Sequence, residues 1–116
     1  METTGLQVWN APEDFESFLS AGGSGFIFKH STRCSISSEA YRQVESFASD
    51  APEARIHVVL VVENRTTSNA VAEKLGVPHA SPQAILVEDG QVAWHTSHWD
   101  ITRKSLAEAW RSVEAS

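Results

Sequence analysis

The chain has 116 residues, with 9 Lys and Arg against 15 Asp and Glu, a formal net charge of −6. That length accommodates one domain with one core that needs no metal or disulfide staple, and the acidic balance argues against nucleic acid or an anionic membrane as partner. The longest purely apolar run, residues 58–62, falls far short of the ~20 residues of a spanning helix, and Met1-Glu2-Thr3-Thr4-Gly5 has neither the basic start nor the apolar stretch of a secretory signal.

In chain order, Val8 and Trp9 close a short first strand before Pro12. Phe15, Phe18 and Leu19 recur at helical spacing over residues 13–21, with acidic residues in the first turn, and Gly22, Gly23 and Gly25 stop that helix. Phe26, Ile27 and Phe28 form a strand ending at Lys29 and His30. Ser31, Thr32 and Arg33 turn into a helix around Cys34, whose stripe of Ile36, Ala40, Tyr41, Val44, Phe47 and Ala48 runs to Asp50 and Pro52. Residues 55–63 read as a strand covered on both faces. A helix over 68–75 closes at Gly76, and Pro78 and Pro82 bracket a loop before a strand over 84–87. Asp89-Gly90 signals a two-residue hairpin leading into a strand over 91–98. A last helix over 102–113 puts Leu106, Trp110 and Val113 on one face. Helical crossovers imply parallel neighbours and the hairpin an antiparallel pair. The expected fold is therefore α/β: a thioredoxin-like mixed sheet of four to five strands flanked by about four helices, ending in a β-hairpin and a helix.

Cys34 is the only cysteine. It excludes an intramolecular disulfide and a cysteine-built zinc site, and makes a reducing, cytoplasmic setting the default. Any redox partner sulfur must come from another molecule. In open α/β sheets, sites lie at the carboxyl ends of strands, and Cys34 falls just beyond such an end, at the start of a helix. Free backbone N–H groups and the positive end of the helix dipole favour a thiolate there. Lys29, His30 and Arg33 add positive charge nearby in sequence, and Ser37, three residues on, is placed to donate its hydroxyl to the sulfur. Cys34-Ser35-Ile36-Ser37 is thus a C-x-x-S pattern with serine where a resolving thiol would stand. The competing readings are a buried filler for Cys34 and a local helix cap for Ser37.

The segment Lys29-His30-Ser31-Thr32-Arg33-Cys34-Ser35-Ile36-Ser37 resembles the active-site segment of the YtxJ-like monothiol bacilliredoxins, thioredoxin-fold proteins of the bacillithiol system. Further matches are Val62-Glu63-Asn64-Arg65, Ser68-Asn69, Gly76-Val77, His79, Ser81-Pro82-Gln83 and the run from Trp94 to Thr102. Arg33 and Ser35 flank the cysteine where the family usually has Thr and Pro, and Thr66 replaces a usual proline. The resemblance implies a monothiol oxidoreductase that removes bacillithiol from S-bacillithiolated proteins, with bacillithiol as co-substrate and no bound cofactor. It implies Cys34 and Ser37 as catalytic residues, with Lys29, His30, Thr32, Arg33, Arg65, Ser81 and Pro82 around the substrate. Pro82 is expected to be cis on the same ground, presenting the Ser81 backbone to substrate as a short strand edge. Regeneration requires an external low-molecular-weight thiol, and the chain is taken as a monomer.

Arg65, read as ending the central strand at the same sheet edge as Cys34, would bind an anionic group of bacillithiol or pair with Glu63. His79 is read chiefly as a loop histidine. His95 and His98, three apart on one strand, point to opposite faces and make a poor chelating pair. The tryptophans, Trp99 included, are assigned to the core. The rival functions are an iron–sulfur carrier sharing four ligands between two subunits and two external thiols, which lacks the C-G-F-S pattern here, and a non-catalytic adaptor.

Overall fold

A computed structural model describes residues 6–114. Its elements in order are β1 (Leu6–Val8), α1 (Pro12–Ala21), β2 (Ser24–His30), α2 (Ser35–Asp50), β3 (Ile56–Leu60), α3 (Arg65–Leu75), β4 (Gln83–Glu88), β5 (Gln91–Ser97), a 3-10 turn η1 (His98–Asp100) and α4 (Arg103–Glu114). The five strands form one mixed sheet in the order β1-β3-β2-β4-β5. β3 is parallel to both β1 and β2, whereas β4 is antiparallel to β2 and β5 to β4.

The expectation of parallel neighbours across each helical crossover holds for β1, β2 and β3 and fails at β4. The reason lies in the loop after α3. That helix starts where β3 ends and descends past the sheet, and residues 76–82 then climb back before β4 begins. Seven residues reach at most about 25 Å, enough to regain the upper edge, where Gln83 pairs with Lys29. β4 therefore runs downward. The hairpin forms as expected at Asp89 and Gly90, which take φ +50° and +83°, the positive values a tight primed turn needs.

Strand alternation sorts the sheet into two faces. Phe26, Phe28, Ile56, Val58 and Leu86 point to one side, where they pack with Val44 and Phe47 of α2 and Leu106 of α4. Ile27, Val59, Ile85 and Val87 point to the other, against Phe15 and Phe18 of α1 and Val71 of α3. Burying each such aromatic or aliphatic side chain stabilises the fold by roughly 1.5–3 kcal/mol. Gly25 lets α1 approach β2: a Cβ there would stand 2.8 Å from the Phe18 ring. Among the described residues no helix is long and apolar enough to cross a membrane, and no three His, Cys, Asp or Glu side chains cluster as metal ligands.

Three boundaries differ from the sequence reading in ways that matter for the site, as does the placement of Trp99. β3 ends at Leu60, because Asn64 N–H donates to the Leu60 carbonyl and turns the chain. α3 begins three residues earlier than expected, so Arg65 is its first residue and not a strand end. β5 stops at Ser97, and His98 enters η1 with φ +56°. His95 and His98 therefore do not share a strand. Trp99, assigned to the core by periodicity, is 66% exposed on that same turn.

Candidate active site

β2 and β3 deliver their carboxyl ends side by side, tied by Val61 N–H donating to the His30 carbonyl at 3.0 Å. Four residues then carry the chain from β2 into α2. Cys34 is the N-cap residue, in extended conformation (φ −120°, ψ 126°), and is partly exposed. Its carbonyl accepts from Ser38 N–H at 3.0 Å and from Ser38 Oγ at 3.3 Å. The first-turn amides of a helix lack intrahelical acceptors, and with the dipole they make this end electropositive. The Cys34 sulfur itself makes no capping hydrogen bond to these amides.

Ser37 is in a different place from the one expected. It is fully buried, and its Oγ accepts from Ser31 N–H at 2.9 Å and lies 2.7 Å from His30 Nδ1. Its two hydrogen bonds go to the loop and to the end of β2; they lock residues 31–34 onto the first turn of α2. Ser37 shapes the loop that carries the sulfur. His30 is likewise buried and not a solvated strand end: its ring stacks on Tyr41 at 4.8 Å and near-parallel to Phe28 at 5.5 Å. Burial lowers the His30 pKa, against an opposing push from the Glu63 charge. A neutral imidazole is what this environment prefers.

Lys29 departs further from expectation. Alternation places it on the α1/α3 face with Ile27, and it has no exposed surface at all. Its Nζ lies 3.2 Å from His79 Nδ1, and Ser68 Oγ lies 3.4 Å from the same nitrogen. From there the ammonium does not touch a molecule at the surface; it acts through His79 or through its field. Burial pulls Lys29 down to a pKa of about 8. Burial, then the charges of Lys29 and Arg65, lower His79. The sequence signal for this pair was available, since a lysine alternating with phenylalanines in an apolar strand must bury its amine or break the strand.

The remaining candidates gather at the same end of the sheet. Thr32 and Arg33 are exposed on the β2–α2 loop, and Arg65 is exposed at the start of α3. The Ser81–Pro82 peptide is cis, as expected, and immediately precedes the pairing of Gln83 with Lys29. Ser81 Oγ and Gln83 Oε1 are buried without a hydrogen-bond partner among the described residues. The Pro82 carbonyl accepts from His98 N–H at 3.0 Å, so η1 rests on the proline loop. This holds His98 in its left-handed conformation and turns Trp99 outward, a consequence of a tertiary contact that periodicity does not register. A groove of about 480 Å³ runs between α2 and η1, from Ser35 and Ile36 past Ala40 to Trp99 and Ile101. A larger depression of about 720 Å³ between α1 and α3 involves none of these residues.

A lone, partly exposed cysteine at the N-cap position of a helix, at the carboxyl edge of a mixed sheet where a cis-proline loop also ends, defines a thioredoxin-fold thiol redox protein. Known structures agree on the fold. A solved structure described as a candidate oxidoreductase with a thioredoxin fold is 31% identical, covers 91% of this chain and 94% of its own, and superposes with a TM-score of 0.85. Thioredoxin from Trypanosoma brucei brucei (16% identity, 99% and 96% covered, TM-score 0.80) and Fasciola hepatica thioredoxin (18%, 91% and 97%, 0.75) share the fold. The family model described as monothiol bacilliredoxin BrxC matches residues 8–106. The chain belongs to the monothiol bacilliredoxin family.

Proposed function

We propose that this protein removes bacillithiol from S-bacillithiolated proteins in the cytoplasm, by thiol–disulfide exchange at Cys34. The Cys34 thiolate attacks the bacillithiol sulfur of the mixed disulfide. The bond from that sulfur to the target cysteine breaks, the target leaves as a thiolate that takes a proton from water, and Cys34 keeps bacillithiol in a new disulfide. A second, external thiol then attacks this adduct and supplies the reducing equivalents that restore Cys34. Bacillithiol is a co-substrate in this scheme, no cofactor stays bound, and the protein works as a monomer.

The observation that carries the reading is the position of the sole cysteine. It caps α2, it is partly exposed, and no second thiol exists in the chain to resolve an intermediate internally. Ser37 supports the step by fixing the loop, Thr32 and Arg33 border the sulfur, and the Ser81 backbone offers an edge for the target chain. Intact mass spectrometry after mixing with a bacillithiolated protein tests the first step. The adduct is expected to move onto the wild-type protein and not onto Cys34→Ser, and the target is expected to lose it. Absence of transfer to the wild type, or equal transfer to both, overturns the reading.

A further inference from the structure

Ser37 has no exposed surface, and the two groups that meet its hydroxyl differ in kind. Ser31 N–H can only donate, so the hydroxyl oxygen accepts there at 2.9 Å. The hydroxyl proton then needs an acceptor of its own, because a buried O–H left unpaired carries its full desolvation cost. Among the described residues that acceptor is His30 Nδ1, at 2.7 Å. The tautomer follows: Nδ1 keeps its lone pair and Nε2 carries the proton. A protonated Nδ1 would instead donate to Ser37 and strand the hydroxyl proton inside the fold.

The other end of this relay is the cysteine. Ser31, whose N–H is held by Ser37, accepts from Cys34 N–H at its carbonyl and from Arg33 N–H at its Oγ, both at 3.4 Å. One residue thus ties the backbone of the reactive position to the buried serine. The imidazole is held in place by its stacks, on Tyr41 at 4.8 Å and against Phe28 at 5.5 Å. Two titratable groups face it from the neighbouring elements. Tyr41 of α2, whose pKa burial and then Glu45 push up, stays neutral; Glu63 of the turn after β3 favours the imidazolium, against the larger effect of burial. Lys29, the preceding residue of the strand, points to the opposite face of the sheet.

We propose that His30 is a positioning residue for Cys34: by accepting the Ser37 hydroxyl proton at Nδ1 it fixes Ser31 and the loop that carries the sulfur, and protonation of the imidazole releases that loop and slows thiol exchange. The inference rests on the proposed function only in taking Cys34 as the reacting atom. His30 touches neither the sulfur nor a substrate; it acts through Ser37 and Ser31. The pH sensitivity follows from the hydrogen-bond direction. The neutral ring completes a chain in which every donor has an acceptor, and the charged ring leaves one donor over.

The test follows ring, loop and sulfur in the same protein. Nitrogen NMR of the wild type above neutral pH is expected to show His30 protonated at Nε2; a proton on Nδ1 overturns the proposal. As the pH is lowered, the amide signals of residues 31–34 are expected to move together with the His30 ring signals. Amides that stay put while the ring takes up its proton, or a ring that stays neutral until the fold is lost, overturn it without any variant. The rate of Cys34 with dithiodipyridine, divided by the thiolate fraction read from its ultraviolet absorbance, reports on the sulfur. His30→Phe, which keeps the stack and removes the acceptor, is expected to lower that rate about tenfold, the worth of one buried hydrogen bond. His30→Asn, whose Oδ1 can stand in for Nδ1 but does not titrate, is expected to recover most of the loss and to abolish the pH dependence of the corrected rate. Equal rates in the two variants, or a wild-type corrected rate that ignores the protonation of His30, overturn the assignment. The probe contains no bacillithiol, so a failure of bacillithiol transfer beside these results sinks the proposed function and leaves His30 in its role. Normal transfer with a loop indifferent to His30 does the reverse.

Discussion

The two faces of the sheet treat their buried polar side chains differently. On the α2/α4 face, His30 and Ser37 satisfy one another and the Ser31 amide within a stack of Phe28 and Tyr41. On the α1/α3 face, Lys29 has a single partner of marginal basicity. His57, stacked on Trp9 at 4.7 Å and tilted against Phe18 at 4.8 Å, has no hydrogen-bond partner for either ring nitrogen among the described residues. Lys29 and His30 are consecutive residues of one strand, so the difference is set by what each face packs against them. The paired network gives the reactive loop a fixed shape. Burial disfavours the charged form of both underpaired groups, so Lys29 holds its charge at a cost and His57 stays neutral, and both make the stability of the protein depend on pH.

Lys29 offers the largest effect. Its folded pKa of about 8 lies below the unfolded value of 10.5. Between those values the unfolded chain holds a proton that the folded chain has lost, so stability rises with pH across that window, by roughly 3 kcal/mol in total. Urea denaturation from pH 7 to 10.5 is expected to show the rise. Lys29→Met is expected to be more stable than wild type at pH 7 and to lose the slope; a variant that keeps the slope would assign it to other groups.

His57 acts at the other end of the scale. Burial first, and the Arg55 charge second, lower it to about 4 from 6.5. Below pH 6.5 the unfolded chain takes up a proton that the folded chain refuses, so stability falls as pH drops toward 4, by about 3 kcal/mol or somewhat less once surrounding structure relaxes. His57→Phe, which keeps an aromatic ring against Trp9, is expected to flatten that part of the curve. An unchanged acid limb in the variant would show that the imidazole becomes protonated without penalty.

Ser37→Ala sharpens the contrast from the satisfied face. Removing the hydroxyl leaves the Ser31 amide and His30 Nδ1 unpartnered, at a cost of about 1–3 kcal/mol, and loosens residues 31–34. The loss is expected to be similar at pH 7 and pH 9, unlike that at Lys29, and to come with slower bacillithiol transfer. A variant as stable as wild type would mean that water replaces the hydroxyl freely and that the network does not hold the loop.

Much of the fold was legible in the sequence. Alternation over Phe26-Ile27-Phe28 and the stripe from Ala40 to Ala48 placed β2 and α2, and the two together put Cys34 at a helix start beyond a strand end. The hairpin followed from Asp89-Gly90. The parts that were not legible share a cause, which is contact between segments distant in sequence. Whether Ser37 turns to the sulfur or to His30 depends on how α2 rotates against β2. Whether Trp99 packs or protrudes depends on the Pro82 carbonyl, which captures the His98 amide and turns the chain outward. Arg65 was placed one element too early because an apolar run does not show where Asn64 bends the chain.

The sequence by itself determined that any sulfur chemistry here is intermolecular, since there is one cysteine, and that the cysteine begins a helix, since local spacing fixes both flanking elements. Only the tertiary structure decided which polar groups gather at the same end of the sheet. Lys29, His79, Arg65 and Gln83 come from four separate segments, and no local rule links them. They meet because the loop after α3 climbs back along the sheet and starts β4 beside the end of β2, a path set by packing the two layers and not by the preference of any residue along it.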